Sequence, residues 1–198
     1  CPSRCSYCSF VSHSIDSQKA KELVPDYVSK LLEEIEFTAQ KAKENNLTLT
    51  SVYWGGGTPT SLEADDLDEI LTKIEDCFDL STCIEYTVEA GRPDTVTEEK
   101  LQTLKKHNVG RISINPQTFS DEVLRAIGRK HSHQDFIDCY NMAKEIGFKT
   151  INTDLIAGLP LDTVDGFENS LRGCIELGAE NITVHTLTLK RASNIVVN

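Results

Sequence analysis

The most constraining feature of this 198-residue chain is a repeated alternation between short β-rich runs and longer amphipathic helical runs. The β-rich runs are rich in Val, Ile and Thr and show no clean polar alternation, as is typical of parallel strands covered on both faces. We predict five strands: Ser51–Trp54, Ile84–Ala90, Arg111–Asn115, Thr150–Ile156 and Asn181–Leu187. Repeated β-then-α units imply a parallel sheet with right-handed crossovers.

Apolar stripes at helical spacing lie around these strands. The stripes occupy Tyr27, Val28, Leu31, Leu32 and Ile35; Leu67, Ile70, Leu71, Ile74 and Phe78; Phe136, Ile137, Tyr140 and Ala143; and Phe167, Leu171, Cys174 and Ile175. Thr97 and Ser120 are typical helix N-caps, and Gly147 and Gly178 are typical helix ends. No low-complexity linker interrupts the pattern, so we expect one α/β domain. The pattern alone leaves both an open sheet and a barrel possible.

The composition limits the partners of the chain. A net charge of −11 argues against nucleic acid, because phosphate binding relies on clustered Lys and Arg. The sequence contains neither the ~18–20 apolar residues of a membrane helix nor a signal-peptide pattern. We therefore expect a cytoplasmic protein with no membrane span.

Three of the seven cysteines, Cys1, Cys5 and Cys8, form a Cys-x3-Cys-x2-Cys loop. Thiolates bind iron–sulfur clusters, and a [4Fe–4S] cluster ordinarily takes four of them. Three thiolates in one loop leave one iron open to another ligand. A zinc site is the alternative, with His13 as a candidate fourth ligand.

The other four cysteines are scattered through the chain. We expect Cys77, Cys83, Cys139 and Cys174 to be core thiols. The spacing of Cys77 and Cys83 permits a disulfide, but a reducing compartment disfavours one.

A glycine segment, Gly55-Gly56-Gly57-Thr58-Pro59, directly follows the strand that ends at Trp54. Three glycines at the carboxyl end of a strand let the backbone approach a ligand closely. A plain tight turn is the alternative. No Lys-Ser/Thr pair follows, which disfavours a nucleotide phosphate loop.

Polar residues follow the same pattern at the other strand ends. Glu89 ends one predicted strand, Gln117 lies just beyond the next, and Asp154 lies within the fourth. Each alone is typical of a hydrogen-bonded structural group. Together, on the rim where β/α folds collect their functional groups, they predict a site.

The cysteine loop, with Tyr7 before its last cysteine, resembles the signature of the radical S-adenosylmethionine (SAM) superfamily. In that family SAM chelates the open iron, and its reductive cleavage yields a 5′-deoxyadenosyl radical that abstracts hydrogen. Six ordered motifs resemble the oxygen-independent coproporphyrinogen III oxidase family. They are the cysteine loop, Trp54-GGGTPT, Thr87-Val-Glu89-Ala, Arg111-Ile-Ser-Ile-Asn-Pro-Gln117, Ile127-Gly-Arg129-Lys-His131 and Asp154-Leu-Ile-Ala-Gly-Leu-Pro160.

This resemblance implies a partial (β/α)6 TIM-like barrel of the radical SAM type that lacks its first strand. Residues 1–198 are then the radical SAM catalytic core, as a fragment of a longer protein. The implied cofactors are a [4Fe–4S] cluster on the three loop cysteines and SAM. The implied SAM contacts are Tyr7 against the adenine, Gly56, Gly57 and Thr58, Glu89 on the ribose hydroxyls, and Gln117, Arg129 and Asp154 on the remaining polar groups.

Within the family, Gly91-Arg-Pro-Asp94 and His185-Thr-Leu-Thr-Leu-Lys190-Arg191 resemble a coproporphyrinogen dehydrogenase branch. The implied reaction is oxidative decarboxylation of two propionates of coproporphyrinogen III to the vinyl groups of protoporphyrinogen IX in haem biosynthesis. A reduced flavodoxin or ferredoxin is the implied electron donor. We expect Arg92, Lys190 and Arg191 to lie near strand ends, where they are candidates to meet substrate carboxylates.

One position departs from the oxidase pattern. The oxidase type has a fourth cysteine two residues after the loop, where this chain has Phe10. Phenylalanine there resembles the haem-chaperone branch, a haem-binding trafficking class, although the dehydrogenase-like branch shares it. The candidate axial ligands for haem are His13, His131, His133 and His185. A haem-degrading methyltransferase relative is a third hypothesis.

Overall fold

The computed structural model describes residues 1–10, 14–190 and 193–195. Its centre is a parallel sheet with its five strands in chain order. The strands are β1 (Ser51–Trp54), β2 (Glu85–Glu89), β3 (Arg111–Ser113), β4 (Thr150–Ala157) and β5 (Asn181–Thr186). The five predicted strands and their parallel arrangement are thus confirmed, with β2, β3 and β5 shorter and β4 one residue longer than predicted.

Six α-helices lie among the described residues. They are α1 (Gln18–Glu44), α2 (Ala64–Cys77), α3 (Glu98–Lys106), α4 (Asp121–Ala126), α5 (His133–Ile146) and α6 (Val164–Glu176). Each connection between neighbouring strands includes at least one helix, which returns the chain to the same end of the sheet.

The predicted helix caps are confirmed. Thr97 and Ser120 accept hydrogen bonds from the third backbone N–H of α3 and α4. Gly147 ends α5 with φ 88° and Gly178 follows α6 with φ 76°, left-handed values that favour glycine. The stripe of α1 is partly wrong, because Tyr27 is 52% exposed whereas its neighbour Val28 is buried.

The core covers the sheet with apolar side chains from strands and helices. Val88 of β2 and Ile112 of β3 are fully buried and pack in one cluster with Leu101, Leu104 and Phe136. A second cluster joins α1 to α2 around Val28, Leu67 and Ile70. Burial of these side chains is the main favourable term in folding.

The scattered cysteines divide into buried and partly buried thiols. Burial raises the pKa of Cys139 to about 12 and that of Cys174 to about 11, because it disfavours the thiolate. Both lie in the core, as predicted. Every cysteine of the chain is a free thiol, so Cys77 and Cys83 form no disulfide.

None of the helices in the described ranges is both long and apolar enough to cross a membrane.

Candidate functional site

The carboxyl ends of the parallel strands bring the predicted polar residues to one rim of the sheet. Glu89 ends β2 and Asp154 lies within β4. Gln117 lies four residues beyond β3, yet its N–H donates to the backbone carbonyl of Asp154 at 3.0 Å. Its backbone is left-handed, with φ 67°. This turn carries Gln117 back beside β4 and into the site.

The cysteine loop lies between the glycine segment and the end of α4. The Cys1 Sγ and Thr58 Oγ1 atoms are 3.0 Å apart. On the other side, the N–H of Ser6 donates to the carbonyl of Ile127 at 2.9 Å. Gly128 has φ 78°, and a Cβ there would be 3.2 Å from the Arg4 carbonyl oxygen. Glycine is therefore needed for the loop to dock this closely.

The donor set of the cysteine loop suits an iron–sulfur cluster, because thiolates are the ligands that such clusters take. No three His, Cys, Asp or Glu side chains within the described ranges are grouped to hold one metal ion. His13, the candidate fourth zinc ligand, lies outside the described residues.

Open space lies above the glycine segment. A Cβ at Gly56 or Gly57 would have no atom within 4 Å. A cavity of 410 Å³ adjoins this segment and is lined by Cys1, Trp54, Thr58 and apolar side chains of α1. A cofactor therefore has room to approach the exposed glycine backbone next to the cysteines.

Glu89 has a partner that the sequence analysis did not identify. The Tyr53 hydroxyl donates to Glu89 Oε1 at 2.5 Å. Partial burial, followed by the hydrogen bond to Glu89, raises the pKa of Tyr53 to about 12. A Cβ at Gly55 would be 2.6 Å from Tyr53 Cε1 and 3.0 Å from Glu89 Cδ. Gly55 therefore makes room for this pair.

Asp154 is held by two asparagines that were also missed. Asn152 Nδ2 donates to Asp154 Oδ1 at 2.7 Å. The Asn115 side-chain oxygen accepts from the Asp154 backbone N–H at 3.2 Å. His185 Nε2 lies 3.7 Å from Asp154 Oδ2. The contact with Asn115 joins residues 39 positions apart, so only the tertiary structure shows it.

Arg129 lies beneath the cysteine loop, almost fully buried. Its Nη2 donates to the Tyr7 hydroxyl at 3.1 Å and its Nη1 to the Gly91 carbonyl at 3.0 Å. Burial raises the pKa of Tyr7 to about 12 although the guanidinium opposes that shift. Tyr7 also packs against the apolar cluster that contains Ile127 and Ile156. The contacts of Arg129 thus fix Tyr7 in place.

The expectation that Arg92 meets a substrate carboxylate is wrong. Arg92 is 2% exposed, and its guanidinium already holds both carboxylate oxygens of Asp94 at 3.0 Å. Its remaining contacts are with the cysteine loop, including Cys5 Sγ at 3.4 Å. Lys190 is exposed, and Arg191 lies outside the described residues.

The three candidate haem ligands that lie within the described residues have different surroundings. His131 is buried, and desolvation followed by the charge of Arg129 lowers its pKa to about 4. His133 pairs with Asp121 at the start of α5, at 3.1 Å. His185 is exposed on the rim, beside Asp154.

Fold and site together define a parallel β/α protein with an iron–sulfur cysteine loop beside an open glycine segment. The family model of the radical SAM superfamily matches residues 1–173. The chain belongs to the radical SAM superfamily. Its cofactors are therefore those of the superfamily, a [4Fe–4S] cluster and SAM.

Relatives within the superfamily confirm the resemblance to oxygen-independent coproporphyrinogen III oxidases. The oxygen-independent coproporphyrinogen-III oxidase-like protein HemZ of Bacillus subtilis is 42% identical over all of this chain and 39% of its own length. The haem chaperone HemW of the same species is 37% identical over 96% of this chain and 48% of its own length.

A solved structure shows the same fold. Coproporphyrinogen III oxidase HemN of Escherichia coli, described as a radical SAM enzyme, superposes with a TM-score of 0.84 at 27% identity. The match covers 95% of this chain and 42% of HemN. The chain thus spans less than half the length of each of these relatives.

Proposed function

We propose that residues 1–198 are the radical SAM catalytic core of an oxidoreductase that converts coproporphyrinogen III to protoporphyrinogen IX without oxygen. The observation that carries the proposal is the meeting of the cysteine loop, the glycine segment and the polar rim at one edge of the sheet. The haem-related names of the relatives support the substrate class.

In this proposal Cys1, Cys5 and Cys8 bind three irons of the cluster. When bound and reduced, the cluster and SAM supply the radical chemistry that removes a hydrogen atom from the propionate β-carbon. Loss of CO2 and one electron, which passes to an acceptor, then leaves a vinyl group. A cytoplasmic flavodoxin or ferredoxin is the proposed reductant.

The rim residues bind and orient SAM in this proposal. The backbone of Gly56 and Gly57 and the Thr58 hydroxyl suit the amino group. The Glu89 carboxylate, held by Tyr53, suits ribose hydroxyls because it accepts hydrogen bonds from both.

Three further side chains complete the proposed SAM site. Gln117 and Asp154 supply an amide and a carboxylate for the remaining polar groups. Tyr7, fixed by Arg129, offers an aromatic face to the adenine.

Haem trafficking is the second candidate function. Phe10, at the position of the fourth cysteine of the oxidase type, is 67% exposed and therefore free to contact a ligand. The similarity to HemW supports this alternative. In that case we expect His185, the exposed histidine of the rim, to be an axial ligand.

An anaerobic turnover assay separates the two functions. The reconstituted protein is incubated with SAM, a reductant and coproporphyrinogen III, and porphyrins are separated after oxidation. We expect mono- and divinyl products with one 5′-deoxyadenosine per vinyl group, and none from Cys5→Ala. Stoichiometric haem binding, with SAM cleavage but no vinyl product, would show that the chaperone function is correct instead.

A further inference from the structure

Arg92 lies behind the cysteine loop, buried and saturated with hydrogen bonds. Its Nε and Nη2 donate to the Asp94 carboxylate, Nη2 also donates to Ser3 Oγ, and Nη1 donates to the Ser3 carbonyl and to Cys5 Sγ. A guanidinium has five N–H groups, and these contacts use all five. Its orientation is therefore fixed without any added ligand.

Cys5 is the most buried of the three loop cysteines, at 8% exposure. The Arg92 Nη1 lies 3.4 Å from its sulfur. The neighbouring Asp94 side chain is 18% exposed and the Arg92 side chain 3%. The charged donor thus contacts the sulfur where water screens little, and charge–dipole interactions there are stronger than at the surface.

Hydrogen bonds to cluster sulfurs and nearby charge are two of the factors that set cluster reduction potentials. A cationic donor stabilises the reduced cluster more than the oxidised cluster, because reduction adds negative charge to the iron–sulfur unit. The carboxylate of Asp94 acts in the opposite direction, and it also holds the guanidinium in place.

We propose that Arg92 is a positioning residue that donates a hydrogen bond to the Cys5 thiolate and raises the reduction potential of the cluster. The inference deepens the proposed function, since it rests on Cys5 as a cluster ligand. Asp94 orients Arg92 and limits its effect on the potential. Arg129, which is also buried, has its described hydrogen bonds with Tyr7 and with backbone carbonyls instead.

The test is a redox titration of the reconstituted cluster, followed by its electron paramagnetic resonance signal. For Arg92→Gln we expect the ratio of reduced to oxidised cluster at a fixed potential to fall at least tenfold, which is about 59 mV for one electron. Arg92→Lys, which keeps the charge, is expected to recover part of the loss. Asp94→Asn, which removes the opposing negative charge, is expected to raise the ratio of reduced to oxidised cluster.

Arg172→Gln is the matched control, because Arg172 is an exposed arginine on α6 paired with Glu168. Its titration curve is expected to match that of the unmodified protein. Equal midpoints for the control, Arg92→Gln and Asp94→Asn would overturn the proposal. Midpoint shifts of the same sign in Arg92→Gln and Asp94→Asn would also overturn the proposal. A general loosening of the loop would shift both midpoints in the same direction, whereas removal of opposite charges shifts them in opposite directions.

Failure of the underlying cluster assignment gives a different result. If the loop does not hold the cluster, Cys5→Ala retains full iron and sulfide content. If only the Arg92 inference fails, Cys5→Ala loses the cluster while the Arg92 variants keep both cluster and potential. Should Arg92→Gln fail to fold, Arg92→Lys and Asp94→Asn still test the sign of the effect.

Discussion

At the scale of single residues, the first and third glycines of the glycine segment, Gly55 and Gly57, have different roles. Gly55 is surrounded by Tyr53 and Glu89, so its missing side chain is a packing requirement. Gly57 is open to solvent, so its missing side chain matters for what approaches from outside. The difference allows folding and cofactor binding to be tested separately.

Gly57→Ala is therefore expected to leave the thermal midpoint within about 1–2 °C, since the added methyl contacts no protein atom. If the amino group of SAM binds at Gly57, the affinity of this variant for SAM falls about tenfold or more. Gly55→Ala is expected to lower both the thermal midpoint and the affinity for SAM, because the added methyl group displaces Tyr53 or Glu89. Calorimetry and SAM titration measure the two effects; unchanged SAM affinity in Gly57→Ala contradicts the assigned contact.

Tyr53→Phe removes the hydrogen bond that orients Glu89. Because this hydrogen bond orients the carboxylate that is proposed to bind the ribose hydroxyls, the dissociation constant of SAM is expected to rise about threefold or more. Equilibrium dialysis with labelled SAM measures it. The matched control is Tyr86→Phe, whose buried hydroxyl has no hydrogen-bond partner among the described residues; an equal loss in both variants argues against the role of Tyr53.

At the scale of elements, α6 is anchored against the segment that follows β3. Ser170 Oγ accepts from the backbone N–H of Phe119 at 2.9 Å. A Cβ at Gly173 would collide with the ring of Phe119, which packs on Phe136 with 5.5 Å between centroids. The same segment carries Gln117 to the site, so this packing couples a helix to the rim.

Gly173→Ala is accordingly expected to destabilise the fold by about 1–3 kcal/mol, despite the higher helix propensity of alanine, because overpacking forces side chains from their preferred rotamers. Chemical denaturation measures the change. Asn169→Ala, on the exposed part of the same helix, is the control and is expected to be neutral or slightly stabilising. A neutral Gly173→Ala would show that Phe119 moves aside at no cost.

At the scale of the whole molecule, His131 makes stability depend on pH. Its pKa is lowered from 6.5 to about 4 by burial and by Arg129. Between these pH values His131 is protonated in the unfolded chain but not in the folded protein, so stability falls as pH decreases from 6.5 to 4. At about 1.4 kcal/mol per pH unit the loss approaches about 3 kcal/mol.

His131→Leu is expected to reduce the pH dependence of the free energy of unfolding between pH 6.5 and 4.5. Urea titration at several pH values measures this dependence. His133→Gln, at a more exposed histidine, is the control and is expected to keep the slope. Carboxyl groups such as Asp68, whose pKa hydrogen bonds from Lys106 and His107 lower, contribute a separate loss below about pH 4. A slope retained in His131→Leu contradicts the assignment.

Local periodicity and spacing were enough to predict the parallel β/α architecture, the helix caps and the cysteine loop. The apolar stripes of the helices repeat every 3.6 residues, the strands are short runs rich in Val, Ile and Thr, and the Cys-x3-Cys-x2-Cys spacing lies within eight residues. The presence of Glu89, Gln117 and Asp154 on one rim also followed from the sequence, because parallel strands end on the same side of a sheet.

The tertiary structure alone decided which residues contact one another on that rim. Arg92 looked like a surface base near a strand end, but it is buried against Cys5, 87 positions earlier. Tyr53 meets Glu89 because β1 pairs with β2 in one register among several. Such contacts depend on strand register, crossovers and burial. These are properties of the packed molecule and produce no periodic pattern in the sequence.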